Sequence, residues 1–156
     1  MSSSLLTKDT VIKCVCIAQS LPSYLRCCRV SSTLDKSVGK KNLIDGSPET
    51  CWTSQQGLPQ YIQVAFERPA RPEIVFLTFQ GGFVGKTCIV TATQPGSNDW
   101  QEIGRIYPDD VNRQQTFPLS TQLAADRLRL TFQESTDFFG RITIYDFSVH
   151  GSLADA

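Results

Sequence analysis

The chain has 156 residues, with fifteen Lys and Arg against fifteen Asp and Glu, six cysteines, two tryptophans and a single histidine. That length suits one domain, able to bury roughly 70% of its unfolded surface without covalent staples. Zero formal net charge lacks the basic excess of a non-specific nucleic-acid binder, and a lone histidine, His150, leaves little ground for triad or zinc chemistry.

The first apolar stretch, Val11 to Ala18, is broken by Lys13 and is far too short to span a bilayer, so no membrane partner is expected. Lys8 before it and Ala18-Gln19-Ser20 after it make only a weak signal-peptide pattern. Asn42, Asn98 and Asn112 all fail the glycosylation sequon at the third position, which favours an intracellular protein. Cys14, Cys16, Cys27 and Cys28 crowd together, but C-x-C followed by C-C is not the paired-knuckle spacing of structural zinc. Free thiols in an irregular N-terminal segment are expected instead. Cys88 falls inside an apolar run and reads as a small core residue.

From residue 28 onward the apolar period is two. Ile62, Val64 and Phe66 alternate with Tyr61, Gln63 and Ala65; Leu128, Leu130 and Phe132 alternate with Arg127, Arg129 and Thr131. Ile74-Val75-Phe76-Leu77 is apolar on both faces, as in a covered central strand. With segments 28–33, 87–93, 100–107, 114–117 and 141–150 this predicts eight strands. Asp45-Gly46, Gly81-Gly82, Pro95-Gly96-Ser97-Asn98 and Pro108-Asp109-Asp110 supply turns, Gly81-Gly82 reading as a hairpin. One helical turn is expected near residues 120–126, with Ser120 as its cap. In the last strand the apolar phase slips between Ile142/Ile144 and Phe147/Val149, predicting a bulge around Tyr145-Asp146 that re-aims Asp146. Such a pattern indicates an all-β antiparallel sandwich or barrel.

The segment from Lys41-Asn42-Leu43-Ile44-Asp45-Gly46 through Glu49-Thr50-Cys51-Trp52-Thr53-Ser54 resembles the opening motif of the discoidin, or coagulation factor 5/8 C-type, family. This resemblance implies a galactose-binding-like jelly-roll β-sandwich over about residues 28–151. Asp45-Gly46 would supply a turn, with Thr50 and Trp52 on one face and the indole closing the end of the core. Arg29-Val30-Ser31-Ser32, Phe79-Gln80-Gly81-Gly82-Phe83 and Thr136-Asp137-Phe138-Phe139-Gly140-Arg141 are similar to a narrower family of small discoidin-like proteins associated with an orphan nuclear receptor. That resemblance implies a nuclear protein, present also in the cytoplasm, which binds the receptor and represses it by lowering its hold on its DNA response element. In that family the N-terminus runs almost directly into the Arg-Val-Ser-Ser block. Residues 1–27 therefore read as an irregular extension with an insertion at 12–27, and 152–156 as a tail.

Discoidin-like folds hold a structural calcium at the opening loop, and the resemblance implies Asp45, Ser47, Thr50 and Asp146 as its ligands; no other cofactor is expected. Phe83, Phe138, Phe139 and Arg141 are the candidate partner-binding residues, since exposed aromatics beside an arginine are typical interface anchors. The same residues would serve a carbohydrate- or small-ligand-binding module, which is the alternative reading. Catalysis is not expected: Cys51 and Cys88 have no histidine placed to activate them, and no nucleophile elbow, phosphate loop or dinucleotide fingerprint occurs. Arg127 and Arg129 share the outward face of one strand, but without net positive charge no direct nucleic-acid partner is expected.

Overall fold

A computed structural model of the chain describes residues 11–12 and 25–154, with side chains from residue 29 onward. Among the described residues nine strands form: β1 (Val11–Ile12), β2 (Leu25–Val30), β3 (Trp52–Thr53), β4 (Gln60–Phe79), β5 (Cys88–Thr93), β6 (Gln101–Ile106), β7 (Gln114–Pro118), β8 (Ala125–Phe132) and β9 (Thr143–Leu153). Every strand pairing is antiparallel. The fold is the jelly-roll β-sandwich that the resemblance implied.

The two expected strands at 61–66 and 74–77 are one strand, β4, 20 residues long. Its first half lies between β2 and β8, Ile62 facing both Val30 and Leu130. Its second half lies between β7 and β9, Val75 facing both Phe117 and Val149. The register shifts at Ala65/Ala70 and again at Pro72/Ile74, around the Glu67-Arg68-Pro69-Ala70-Arg71-Pro72-Glu73 stretch. The two prolines cannot donate to a ladder but keep the backbone extended, so the chain bends between layers without turning back. One layer therefore runs β2, β4, β8, β5, β6, and the other runs β7, β4, β9, with β1 and β3 on the far side of β9. Ile62, Val64, Val90, Leu128 and Leu130 from the first layer meet Val75, Leu77, Phe79, Phe147 and Val149 from the second in one buried core.

The bulge expected in the last strand is present. Phe79 faces Ile144 and Thr78 faces Asp146, so Tyr145 is the extra residue. Trp52 is fully buried, pairs with Ile144 through its backbone and donates its indole N–H to the Ser32 carbonyl at 3.0 Å. Cys88 is buried in the core, as expected. The helical turn expected at 120–126 does not form. Leu119 and Leu123 pack against the core, and β8 already begins at Ala125, so burial of the two leucines overrides the local cap signal. Two short 3₁₀ turns, Lys36–Val38 and Lys40–Leu43, were not legible in the apolar pattern. Gly81-Gly82 does make a turn, but β4 and β5 do not pair across it, so it is no hairpin.

β2 starts at Leu25 and β9 reaches Leu153, so strand pairing extends past both ends of the 28–151 span. Residues 13–24, most of the expected insertion, lie outside the described residues, with Cys14 and Cys16 among them. The side chains of Cys27 and Cys28 lie outside them too.

Candidate partner-binding site

Residues 135–141 form a loop held by its own hydrogen bonds and by the segments around Val84 and Gly57. The Asp137 N–H donates to Ser135 Oγ (3.0 Å), Ser135 Oγ donates to the Arg141 carbonyl (2.7 Å), and the Gly140 N–H donates to the Asp137 carbonyl (3.1 Å). Outside contacts fasten it too: Thr136 donates its N–H to the Val84 carbonyl (2.9 Å) and accepts the Val84 N–H at Oγ1 (3.0 Å), Ser135 bridges Gly85, and the Gly57 N–H donates to the Phe139 carbonyl (2.9 Å). Gly140 has φ +82°, and a Cβ there would come within 3.1 Å of Gly57 N and Leu58 Cγ, so glycine is needed for both conformation and space. With its polar backbone satisfied inward, the loop turns its two phenyl rings outward. Phe138 is 92% exposed and Phe139 52%, the rings meeting edge to face at 5.2 Å.

Arg141 sits beside them. Its guanidinium carbon lies 5.3 Å from the Phe83 ring centre and 5.7 Å from that of Phe139. Asp137 holds it in place: Nε to Oδ2 is 3.1 Å and Nη2 to Oδ1 is 3.3 Å. The Arg141 backbone N–H donates to the same Oδ2 at 3.0 Å. The side-chain hydrogen bond from Arg141 holds the Asp137 carboxyl below its usual range, and the carboxylate raises the arginine in return. All four sequence-predicted residues, Phe83, Phe138, Phe139 and Arg141, thus come together in one patch. Leu58, itself exposed, borders it beside Gly140. Leu58 was missed because its neighbourhood is set by a contact across 82 residues of chain.

The opening loop is arranged differently from the expectation. Thr50 Oγ1 donates to Asp45 Oδ2, and the Ser47 N–H donates to Asp45 Oδ1 at 3.0 Å. Thr50 therefore turns to the exposed loop and does not share the buried face of Trp52. Ser47 and Asp146 line a common cavity of about 630 Å³ with Thr78, Asn112 and Tyr145. The bulge does aim Asp146 toward the loop. Yet both Asp45 oxygens already accept bonds that close the turn, and the described residues contain no group of three or more His, Cys, Asp or Glu side chains placed to hold a metal ion.

Arg127 and Arg129 are not a free basic patch. Arg129 lies 4.8 Å from the Tyr61 ring centre and 4.3 Å from that of Trp100, and Arg127 lies 5.0 Å from Trp100. Their edges are engaged too, Arg129 with Gln63 Oε1 and Arg127 with Thr93 Oγ1, the Ser97 carbonyl and Asn98 Oδ1. Alternation along β8 indicates that the two arginines share a face; pairing with β4 brings Tyr61 and Gln63, pairing with β5 brings Thr93, and the segment between β5 and β6 supplies Ser97, Asn98 and Trp100. His150 packs against Phe76 at 4.5 Å, a contact within the second layer.

In fold, the chain is similar to solved jelly-roll domains of the galactose-binding-like type. The fold matches the family 32 carbohydrate-binding module of Clostridium perfringens NanJ, solved with galactose (TM-score 0.67, 17% identity, 79% of this chain and 91% of that one). It also matches a third such module from a family 31 glycoside hydrolase of C. perfringens (TM-score 0.70, 16% identity, 83% and 92%). In sequence, the chain belongs to the family of nuclear receptor 2C2-associated proteins. It is 42% identical to the Xenopus laevis member over 126 residues (79% of this chain, 91% of that protein) and 40% identical to the Homo sapiens member over 126 residues (79% and 89%). The Danio rerio member is 38% identical over 138 residues (86% and 97%). Those relatives are named for association with nuclear receptor 2C2. No protein-family model matches the chain.

Proposed function

We propose that this chain is a non-enzymatic interaction module that binds an orphan nuclear receptor in the nucleus and lowers the receptor's occupancy of its DNA response element. The observation that carries this reading is the outward Phe138–Phe139 pair on a hydrogen-bonded loop, flanked by Arg141. A pre-ordered loop loses little conformational entropy on binding, and aromatic and arginine side chains dominate interface energetics. Membership of a family named for receptor association supports the choice of partner. The Arg127–Trp100–Arg129–Tyr61 stack commits the half-buried arginines of β8 to contacts within the chain, which favours repression through a protein partner over coverage of DNA.

The test is calorimetric titration of the receptor with the wild-type chain and with Phe139→Ala and Arg141→Ala. Each substitution is expected to weaken binding by about tenfold or more, as hot-spot truncations do. A gel-shift assay with the response element should show less receptor–DNA complex as wild-type chain is added. Unchanged receptor binding by both variants rejects this surface. Selective binding on a glycan array, lost in Arg141→Ala, would favour the carbohydrate-binding alternative.

A further inference from the structure

A groove of about 660 Å³ lies where the end of β2 meets the two 3₁₀ turns. Arg29, Lys36, Lys40 and Lys41 line it, Tyr61 forms one wall, and among the described residues no Asp or Glu takes part in the lining. All four cations are exposed, and none forms an ion pair with a described residue. The nearest acid along the chain, Asp35, is turned into its own cap, accepting the Ser37 N–H at 2.8 Å and the Ser37 hydroxyl. The cations stand on a fixed base. Leu43 anchors the second turn in the core, and Asn42 Nδ2 donates to the Ser37 carbonyl (2.9 Å) and the Cys51 carbonyl (2.8 Å). A chain of zero net charge thus concentrates four uncompensated positive charges around one depression. Such a local field draws an anionic partner despite overall neutrality.

We propose that this groove docks an acidic segment of a protein partner. The inference goes beyond receptor binding by the aromatic loop and stands independently of it. The groove is open along one side and larger than a single phosphate, so an extended acidic segment can lie in it with several carboxylates facing the four cations. A nucleic acid is disfavoured because Tyr61, the one aromatic in the lining, already packs beneath Arg129, and because the chain has no net positive charge for the phosphate backbone. The chain's own first 24 residues do not complement the groove either, since they carry Lys8 and Lys13 against Asp9.

Fluorescence anisotropy of the full chain with a labelled octaglutamate peptide tests this, with labelled oligothymidylate as the comparison probe. The wild-type chain should bind the peptide, more weakly as salt rises. Lys36→Glu with Lys40→Glu should weaken binding by about tenfold, and Lys36→Gln with Lys40→Gln by less. Lys86→Glu with Arg113→Glu changes the net charge equally at exposed positions outside the groove and should stay within about twofold. The proposal is overturned if the wild-type chain does not bind the peptide, if both charge-reversed pairs lose affinity equally, or if oligothymidylate binds more tightly than the peptide.

Discussion

Asp137 does three things with one carboxylate: it accepts the Arg141 backbone N–H, fixes the guanidinium, and in doing so orients the group that overlies Phe83 and Phe139. Its side chain is 10% exposed, so the pair is better shielded than an ordinary surface ion pair. Because its folded pKa lies below the ordinary aspartate value, its contribution is full above that value and is lost as pH falls through the folded pKa. Asp137→Asn is therefore expected to lower the urea midpoint at neutral pH, with the gap to wild type closing below about pH 4. A gap that stays constant down to pH 2 would show that the charge on Asp137 does not stabilise the loop. The Phe-Phe-Gly-Arg run marks the patch in the sequence. Its rigidity is not legible there, since it depends on Val84 and Gly57, brought in from distant parts of the chain.

At the scale of the element, β4 organises the molecule, and Gly151 shows how tightly the layers close around it. Gly151 faces Pro72 across the β4 register shift, and a Cβ there would be driven into the backbone carbonyl of Arg71. No rotamer relieves a clash with backbone, so Gly151→Ala must open the β4–β9 ladder. The expected loss is about 3 kcal/mol, or a melting temperature lower by about 6–12 °C, measured by circular dichroism. A melt within 1 °C of wild type would show that the ladder flexes there. Alternation identified most strands within a few residues, because one buried face imposes a period of two. It failed where other forces prevailed. The 61–66 and 74–77 segments read as two strands, yet the fixed extended backbone of Pro69 and Pro72 joins them; Ser120 reads as a helix cap, yet Leu119 and Leu123 follow the core.

Across the whole molecule, both layers share β4, so neither can lose its central strand and leave the other intact. Two tryptophans report on the two layers separately. Trp52 lies beside β9 in one, and Trp100 stacks on the arginines of β8 in the other. In urea, Trp52→Phe and Trp100→Phe each leave a single reporter. Within each variant, the fluorescence and far-ultraviolet dichroism transitions should coincide, as two-state unfolding requires. Separated transitions would mean that the layers unfold independently.

By itself the sequence determined the all-β class, the discoidin-like opening motif, the bulge at Tyr145 and the aromatic run that forms the patch. Each is written in local order: a period of two, a phase slip, a short block of residue types. The tertiary structure decided what neighbours what. It merged two strand candidates into β4, locked Arg127 and Arg129 onto Trp100 and Tyr61, closed Asp45 on Thr50, and gathered Arg29, Lys36, Lys40 and Lys41 around one groove. Most of these contacts, the strand pairing and the ring stacking above all, join segments far apart in the chain, and a side chain's charge or ring shows its role only when the partner that neutralises or exposes it is in place.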